Sequence, residues 1–147
     1  MIRTNLTVCA LFFLPLSVAG ESSVPLPAVV SKDEVNGAIF ERADTNRTEH
    51  EDGHVTFDVT SLLSSDKKFA SGMYRSGKTR YDITEGYGVD EFMYFVEGGI
   101  TLTSVDGTKQ VVRAGEAVTV PKEWKGVFET DGYTKFWVIY SGDGSGL

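Results

Sequence analysis

The chain has 147 residues, of which 41% are hydrophobic and 24% are charged. This length and composition predict one packed domain and exclude a wholly disordered chain. The formal net charge of −7 argues against non-specific binding to nucleic acid or to an anionic membrane surface, because both would repel the protein. Sixteen glycines against four prolines indicate many tight turns and favour an all-β fold.

Residues 1–19 have the pattern of a secretory signal peptide. Arg3 provides a positive start, an apolar run covers residues 6–16, and Ser17-Val18-Ala19 supplies the small residues that precede a cleavage site. The run is too short to span a membrane, and a buried N-terminal helix or strand is the alternative. We therefore expect a periplasmic or secreted protein with no stable membrane insertion after cleavage. Cleavage would also remove Cys9, the only cysteine, and with it any disulfide or cysteine metal site.

Residues 20–54 are predicted to form an N-terminal leader and a loop. Pro25 and Pro27 favour an extended start. Residues 32–40 could form one helical turn or an edge segment, whereas residues 42–53 are polar and lack an apolar period, which indicates a loop.

The only two histidines, His50 and His54, lie in this polar stretch among carboxylates. Imidazoles four residues apart could bind zinc, and on a helix they would share a face. Gly53 and the strand pattern after it argue against a helix. A solvated acidic loop is therefore the favoured interpretation.

A series of short strand patterns begins at residue 55. Val55, Phe57 and Val59 alternate with polar residues, as in a half-buried strand. Residues 92–96 are apolar on both faces, so both sides of that strand should be covered. Further strands are predicted over residues 69–75, 80–83, 100–105, 109–113, 118–120, 127–130 and 133–140.

Glycines separate these strands. Gly98-Gly99 is expected to turn the chain, and Asp106-Gly107 and Asp131-Gly132 each predict a two-residue hairpin. Many short strands joined by such turns predict a sandwich or barrel over residues 55–141. Residues 142–147 are predicted to be a flexible tail.

Two segments of this region carry a resemblance to a known family. Glu91-Phe92-Met93-Tyr94-Phe95-Val96-Glu97-Gly98 resembles the end of the first cupin motif, and Gly115-Glu116-Ala117-Val118-Thr119-Val120-Pro121 resembles the start of the second. Residues 121–129 are similar to a run in small single-domain cupins of the (S)-ureidoglycine aminohydrolase and ethanolamine-utilisation Q-type subgroup. The resemblance covers residues 72–140. It implies a cupin (RmlC-like) jelly-roll β-barrel and a homodimer formed through a sheet face.

The metal ligands of a typical cupin are missing from these motifs. The resemblance implies two histidines shortly before Glu91 and a third in the second motif, but residues 84–87 are Thr-Glu-Gly-Tyr and the third place is Gly126. We therefore predict no metal and no cofactor, although Glu91 with Glu85 could bind a hard cation weakly. The predicted function is metal-independent binding, or transformation, of a small polar metabolite such as an amide or ureido compound.

Glu91 is the candidate catalytic residue. A carboxylate in an apolar barrel could act as a general acid or base, or it could be a structural acid paired with Arg75, Lys78, Arg80 or Lys125. Gly126 is expected to open space for a ligand. The predicted ligand pocket contains Tyr74, Arg75, Tyr81, Glu85, Tyr87, Met93, Phe95, Trp124, Phe128 and Trp137. The alternative is a ligand-sensing or interaction module in which aromatic side chains fill the barrel.

Overall fold

The computed structural model describes residues 24–145 and residue 147. The predicted signal peptide over residues 1–19 lies outside the described residues. A short helix α1 (Lys32–Val35) and a 3₁₀ turn (Ala38–Glu41) precede the strands. The strands are β1 (Asn46–Glu49), β2 (Val55–Leu63), β3 (Phe69–Ser76), β4 (Thr79–Ile83), β5 (Asp90–Ser104), β6 (Lys109–Arg113), β7 (Ala117–Val120), β8 (Gly126–Thr130) and β9 (Tyr133–Tyr140). Within the described part of the chain, no helix is long and apolar enough to cross a membrane.

Two antiparallel sheets share the long strand β5. The first half of β5 pairs with β9 and β7, and its second half pairs with β8 and β6. The order β1-β2-β3-β9-β5-β8-β4 therefore runs from one sheet into the other through β5. The prediction of an all-β barrel is confirmed.

The bend of β5 lies at Gly98 and Gly99. A Cβ at Gly98 would collide with the carbonyl oxygen of Gly132, and one at Gly99 would collide with that of Val112. Only glycine permits such a close approach of two backbones. The prediction that these glycines turn the chain is wrong, since β5 bends here without reversing.

The two Asp-Gly pairs have different outcomes. Asp106-Gly107 joins β5 and β6 in a hairpin, as predicted, with the amide of Gly107 donating to the carbonyl of Ser104, but Ser104 pairs with Thr108, so the loop has three residues, 105–107, and not two. Asp131-Gly132 joins β8 to β9, but β8 pairs with β4 and β5 whereas β9 pairs with β3 and β5. The second hairpin prediction is wrong because the chain crosses from one sheet to the other at this turn.

Apolar side chains form two separate clusters. The inner cluster fills one end of the barrel and contains Met93, Phe95, Ile100, Leu102, Val112, Val120, Phe128 and Tyr133. The outer cluster lies on the other face of the first sheet, where Ile39 of the 3₁₀ turn packs with Val59 and Met73. The leader is therefore part of the fold. Part of the predicted loop over residues 42–53 is also regular, since β1 adds to the edge of β2.

Candidate functional site

A cavity of about 650 Å³ opens at the end of the barrel that the inner cluster does not fill. Its lining combines aromatic rings with a few ionisable groups, as is typical of small-molecule sites. The lining residues are Asp58, Thr60, Leu63, Ala70, Tyr74, Tyr81, Asp82, Ile83, Gly86, Tyr87, Glu91, Phe128, Tyr133, Lys135, Trp137, Ile139 and Leu147.

Strand register places the central polar groups side by side. Asp58 on β2 lies opposite Tyr74 on β3, and Tyr74 lies opposite Lys135 on β9. Because directly opposed residues share a face of the sheet, all three side chains enter the barrel together. In the next row, Gly72 lies opposite Trp137, and a Cβ there would be 2.6 Å from the indole ring. The glycine therefore lets the indole lie against β3.

The centre of the site is a buried ion pair between Glu91 and Lys135. Each residue is 5% exposed, and 2.6 Å separates Lys135 Nζ from Glu91 Oε1. The hydroxyl of Tyr87 donates to the other carboxylate oxygen, Oε2. Burial, together with the negative charge of Glu91, raises the pKa of Tyr87. Tyr87 therefore stays a neutral donor, and both oxygens of Glu91 are engaged.

The ammonium group of Lys135 is also held by aromatic rings. Its Nζ lies 5.6 Å from the ring centroids of Tyr74 and Tyr133, within the range of a cation–π contact. Burial raises the pKa of Tyr133. The site thus surrounds one positive charge with a carboxylate and electron-rich ring faces.

Asp58 is the second carboxylate of the cavity. Its Oδ1 accepts a hydrogen bond of 3.1 Å from the indole N–H of Trp137. Burial raises the pKa of Asp58, and the hydrogen bond and the charge of Lys135 only partly oppose that effect. Among the described residues, no lysine, arginine or histidine forms an ion pair with Asp58.

Six of the predicted site residues line the cavity. They are Glu91, Tyr74, Tyr81, Tyr87, Phe128 and Trp137. The alternation predicted for β5 is also observed, since Glu91, Met93 and Phe95 point into the barrel whereas Phe92 and Tyr94 point outward. The catalytic role assigned to Glu91 stays a prediction.

The other predicted pocket residues lie elsewhere. Met93 and Phe95 are fully buried below the cavity. Trp124 packs beside Tyr87, and its indole N–H donates to Ser104 Oγ at 3.0 Å. Arg75 projects from the opposite face of β3, where its guanidinium lies 4.5 Å from the ring of Phe40. Glu85 is exposed and does not line the cavity.

Gly126 does not enlarge the cavity, contrary to prediction. A Cβ at this position would be 2.8 Å from the ring of Trp124 and would collide with the carbonyl of Thr103. The space that a larger residue would need is therefore already occupied. Glycine at this position serves packing and not ligand access.

Sequence reasoning missed Lys135 and Asp58. It proposed Arg75, Lys78, Arg80 or Lys125 as the partner of Glu91, but none of these pairs with it. Lys135 shares one face of β9 with Tyr133, Trp137 and Ile139, and a lone charge on such an apolar face was the available signal. Asp58 lies on the face of β2 that the pattern assigned to solvent. The leader covers the apolar face instead, so both faces of β2 are used.

The cupin fold raises the question of a metal, and the residues present do not fit one. Both oxygens of Glu91 are already bonded, and an ammonium group lies where a cation would be held. Within residues 24–145, no three histidine, cysteine or acidic side chains form a cluster that could hold an ion.

His50 and His54 form a stacked pair, not the solvated loop that the sequence favoured. Their rings are parallel with centroids 4.0 Å apart, and His54 is buried. His54 bonds to Asp52 through Nδ1 and to the hydroxyl of Tyr81 at 3.0 Å through Nε2. The turn between β1 and β2 brings the two rings together, and it connects them to Tyr81 at the cavity mouth.

Comparisons with known proteins agree with this fold. The model of a family described as Ethanolamine utilisation protein EutQ matches residues 17–145. A curated relative from Clostridioides difficile (strain 630), named Acetate kinase EutQ, is 29% identical over 127 residues, which are 86% of this chain and 73% of the relative.

Solved structures are similar at lower identity, and they show the fold alone. The structure of the Clostridium difficile EutQ protein has a TM-score of 0.54 at 22% identity, with 65% of this chain and 75% of that chain covered. A protein of unknown function from the DUF861 family of Pseudomonas syringae has a TM-score of 0.59 at 14% identity. There the match covers 66% of this chain and 44% of the other.

Proposed function

The chain belongs to the EutQ family, and we propose that it binds a small polar metabolite without a transition metal. The observation that carries this proposal is the open cavity of about 650 Å³ with Asp58, Tyr87, Glu91 and Lys135 converging on it. A cavity that combines aromatic walls with a few fixed polar groups suits a small ligand that needs both shape and hydrogen bonds.

Binding leaves the contacts of Glu91 in place, whereas catalysis by Glu91 would compete with them. A general base must reach the proton that it removes. Tyr87 and Lys135 each use one lone pair of Glu91 and fix the orientation of the carboxylate, so protonation of Glu91 would weaken both contacts. We therefore assign Glu91 and Lys135 to positioning the cavity walls, and chemical transformation of the ligand is a secondary proposal.

The name of the curated relative raises acetate and phosphoryl transfer as a candidate activity. Phosphoryl transfer relies on cations that neutralise phosphate oxygens. The described cavity lining contains three carboxylates and no arginine, and its one lysine is already paired with Glu91. This charge balance favours binding of a neutral or cationic ligand over acetate kinase activity in this chain.

An amide or ureido ligand, which the similarity to ureidoglycine aminohydrolase cupins suggests, fits the hydrogen-bonding groups of the cavity. Asp58 accepts hydrogen bonds, and the hydroxyls of Tyr74 and Tyr81 can donate or accept them. A sensing module that holds such a ligand without turnover would use the same contacts. A filled barrel is less consistent with the structure, because side chains fill only one end.

The proposal is tested by blocking the cavity from its rim. Thr60 lines the cavity and is exposed, so Thr60→Trp adds a ring there without disturbing the inner cluster. Thr108→Trp, at an exposed position between β5 and β6 that does not line the cavity, is the matched control. Native mass spectrometry of protein purified from its own host should show a retained small molecule on the wild type and on Thr108→Trp, and none on Thr60→Trp. Equal retention by all three proteins, or none by the wild type, would contradict cavity binding.

Export and dimerisation are separate proposals. We expect a periplasmic or secreted protein whose mature N-terminus follows Ala19, which N-terminal sequencing would establish. A homodimer would cover Phe92 and Tyr94, which are 42% and 40% exposed on the outer face of β5. Light scattering at micromolar concentration should therefore report a dimer, and Tyr94→Lys should convert it to a monomer. A wild-type monomer would overturn the dimer.

A further inference from the structure

Negatively charged side chains outnumber positively charged ones in the described lining of the cavity. Asp58, Asp82 and Glu91 line it, whereas Lys135 is the one cation among the described lining residues. Lys135 pairs with Glu91 at 2.6 Å, and Asp82 pairs with Arg80 at 2.6 Å on the rim. Asp58 thus remains as the carboxylate whose charge no ion pair within residues 24–145 compensates.

Asp58 also has an oxygen available to a ligand. Trp137 donates to Oδ1, no side chain among the described residues donates to Oδ2, and Asp58 lines the cavity. Burial raises the pKa of this carboxyl group, which shows that its negative charge is poorly solvated. A poorly solvated carboxylate gains more from a cation than an exposed one, because less water is displaced and the dielectric constant is lower.

The walls next to Asp58 are aromatic. Tyr74 lies directly opposite Asp58 in the sheet, Trp137 bonds to it, and Tyr81 and Tyr87 line the same cavity. Ring faces attract cations, and a carboxylate beside several rings is the usual environment for an ammonium ligand. The protein already contains one example of this arrangement, since the ammonium of Lys135 lies between Glu91 and the rings of Tyr74 and Tyr133.

We infer that the ligand carries an ammonium group, which Asp58 and the rings of Tyr74 and Trp137 hold. This inference rests on the proposed function and narrows the ligand class to small amines or quaternary ammonium compounds. The family description names ethanolamine utilisation, and ethanolamine is one such amine and a suitable probe. An anionic ligand would face Asp58 without a counter-charge and should be excluded.

Calorimetric titration with matched probes tests the inference. Choline and its uncharged carbon analogue, 3,3-dimethylbutan-1-ol (dimethylbutanol), have the same shape and differ in charge. Ethanolamine tests a primary ammonium group, and acetate tests an anion. We expect choline or ethanolamine to bind at least tenfold more tightly than dimethylbutanol, and acetate not to bind. Asp58→Asn, which keeps the acceptor for Trp137, should reduce ammonium affinity at least tenfold and leave dimethylbutanol unchanged.

Asp131→Asn is the control variant, because Asp131 is exposed, pairs with Lys78 at 2.7 Å and does not line the cavity. Its ammonium affinity should stay within about twofold of the wild type. Equal loss in Asp58→Asn and Asp131→Asn, or no loss in Asp58→Asn, would overturn the assignment to Asp58. Binding of acetate or dimethylbutanol in preference to both ammonium probes would overturn the ligand class, as would a failure of every probe to bind. In either case, a ligand that the wild type retains and Thr60→Trp loses would still support the proposed function.

Discussion

The two ends of this barrel are built from the same strands, but one end is packed with apolar side chains and the other lines a cavity. At the filled end, Met93 and Phe95 of β5 pack into a continuous apolar cluster with Val112 of β6. At the open end, Glu91 of β5 and Lys135 of β9 face a cavity across a buried ion pair. On β5, Met93 belongs to the packed end and Glu91, two residues earlier, belongs to the cavity. Substitutions at the filled end should change stability alone, whereas substitutions at the open end should change ligand affinity and, where they break the ion pair, stability as well.

The largest expected effect tests the filled end. Phe95 is fully buried, so Phe95→Ala should lower the free energy of unfolding by about 3–5 kcal/mol through lost contacts and a residual cavity. Chemical denaturation measures the loss. Phe69→Ala, at a position that is 38% exposed, should cost much less. An equal loss in both variants would contradict the assignment of the core to the inner cluster.

Breaking the ion pair at the open end should lower the stability of the whole protein. Lys135→Met leaves the Glu91 charge buried and uncompensated, which should cost about 3–5 kcal/mol of stability. The double variant Glu91→Gln with Lys135→Met should recover much of that loss, because no charge then remains buried. Lys78→Met breaks the exposed pair with Asp131 and should change stability far less. A double variant no more stable than Lys135→Met would argue that packing, not charge, causes the loss.

Removing the phenol of Tyr87 should have a smaller effect. Tyr87→Phe deletes the hydrogen bond to Glu91 and leaves one oxygen of a buried carboxylate without its donor, at a cost of about 1–3 kcal/mol. Thermal denaturation should show a clear decrease in Tm. Tyr140→Phe, at an exposed phenol, serves as the control. A Tm equal to that of the wild type would show that water replaces the phenol.

The smallest predicted effect is a gain in stability, from the substitution Asp58→Asn. Burial raises the pKa of Asp58 in the folded state, so the folded protein binds this proton more tightly than the unfolded chain does. Stability from this group therefore decreases as pH rises from the unfolded pKa through the folded pKa and is constant above it. Asp58→Asn should raise stability slightly at neutral pH, by less than about 1 kcal/mol, and not at low pH. The charges of Lys135 and Glu91 also act on Asp58. As a control, the effect of Asp58→Asn on stability is therefore measured again in the double variant Glu91→Gln with Lys135→Met, where both charges are absent. A decrease in stability at neutral pH would contradict the raised pKa.

Much of the fold followed from local patterns. The period of two residues placed Glu91, Met93 and Phe95 on one face of β5 without knowledge of the neighbouring strands. Asp106-Gly107 formed its hairpin because both flanking strands belong to one sheet. Asp131-Gly132 has the same chemistry, yet its flanking strands separate, since β8 pairs with β4 and β5 whereas β9 pairs with β3 and β5.

The candidate site was less predictable, because its contacts are long-range. Glu91 and Lys135 are 44 residues apart, and they meet because β9 pairs directly with β5. Asp58 reaches the same cavity only because β3 places β2 next in the sheet. Side-chain alternation says which face a residue occupies, but it does not say which strands lie beside it.

The sequence by itself determined that the barrel is all-β, that Glu91 points into it, and that no imidazole accompanies Glu91 in its motif. The tertiary structure alone decided what replaces those imidazoles. It brought Lys135 and Tyr87 to the two oxygens of Glu91, filled the space at Gly126 with Trp124, and left Asp58 facing an open cavity. The physical reason is that a buried carboxylate must find partners in three dimensions, and strand order, not sequence spacing, supplies them.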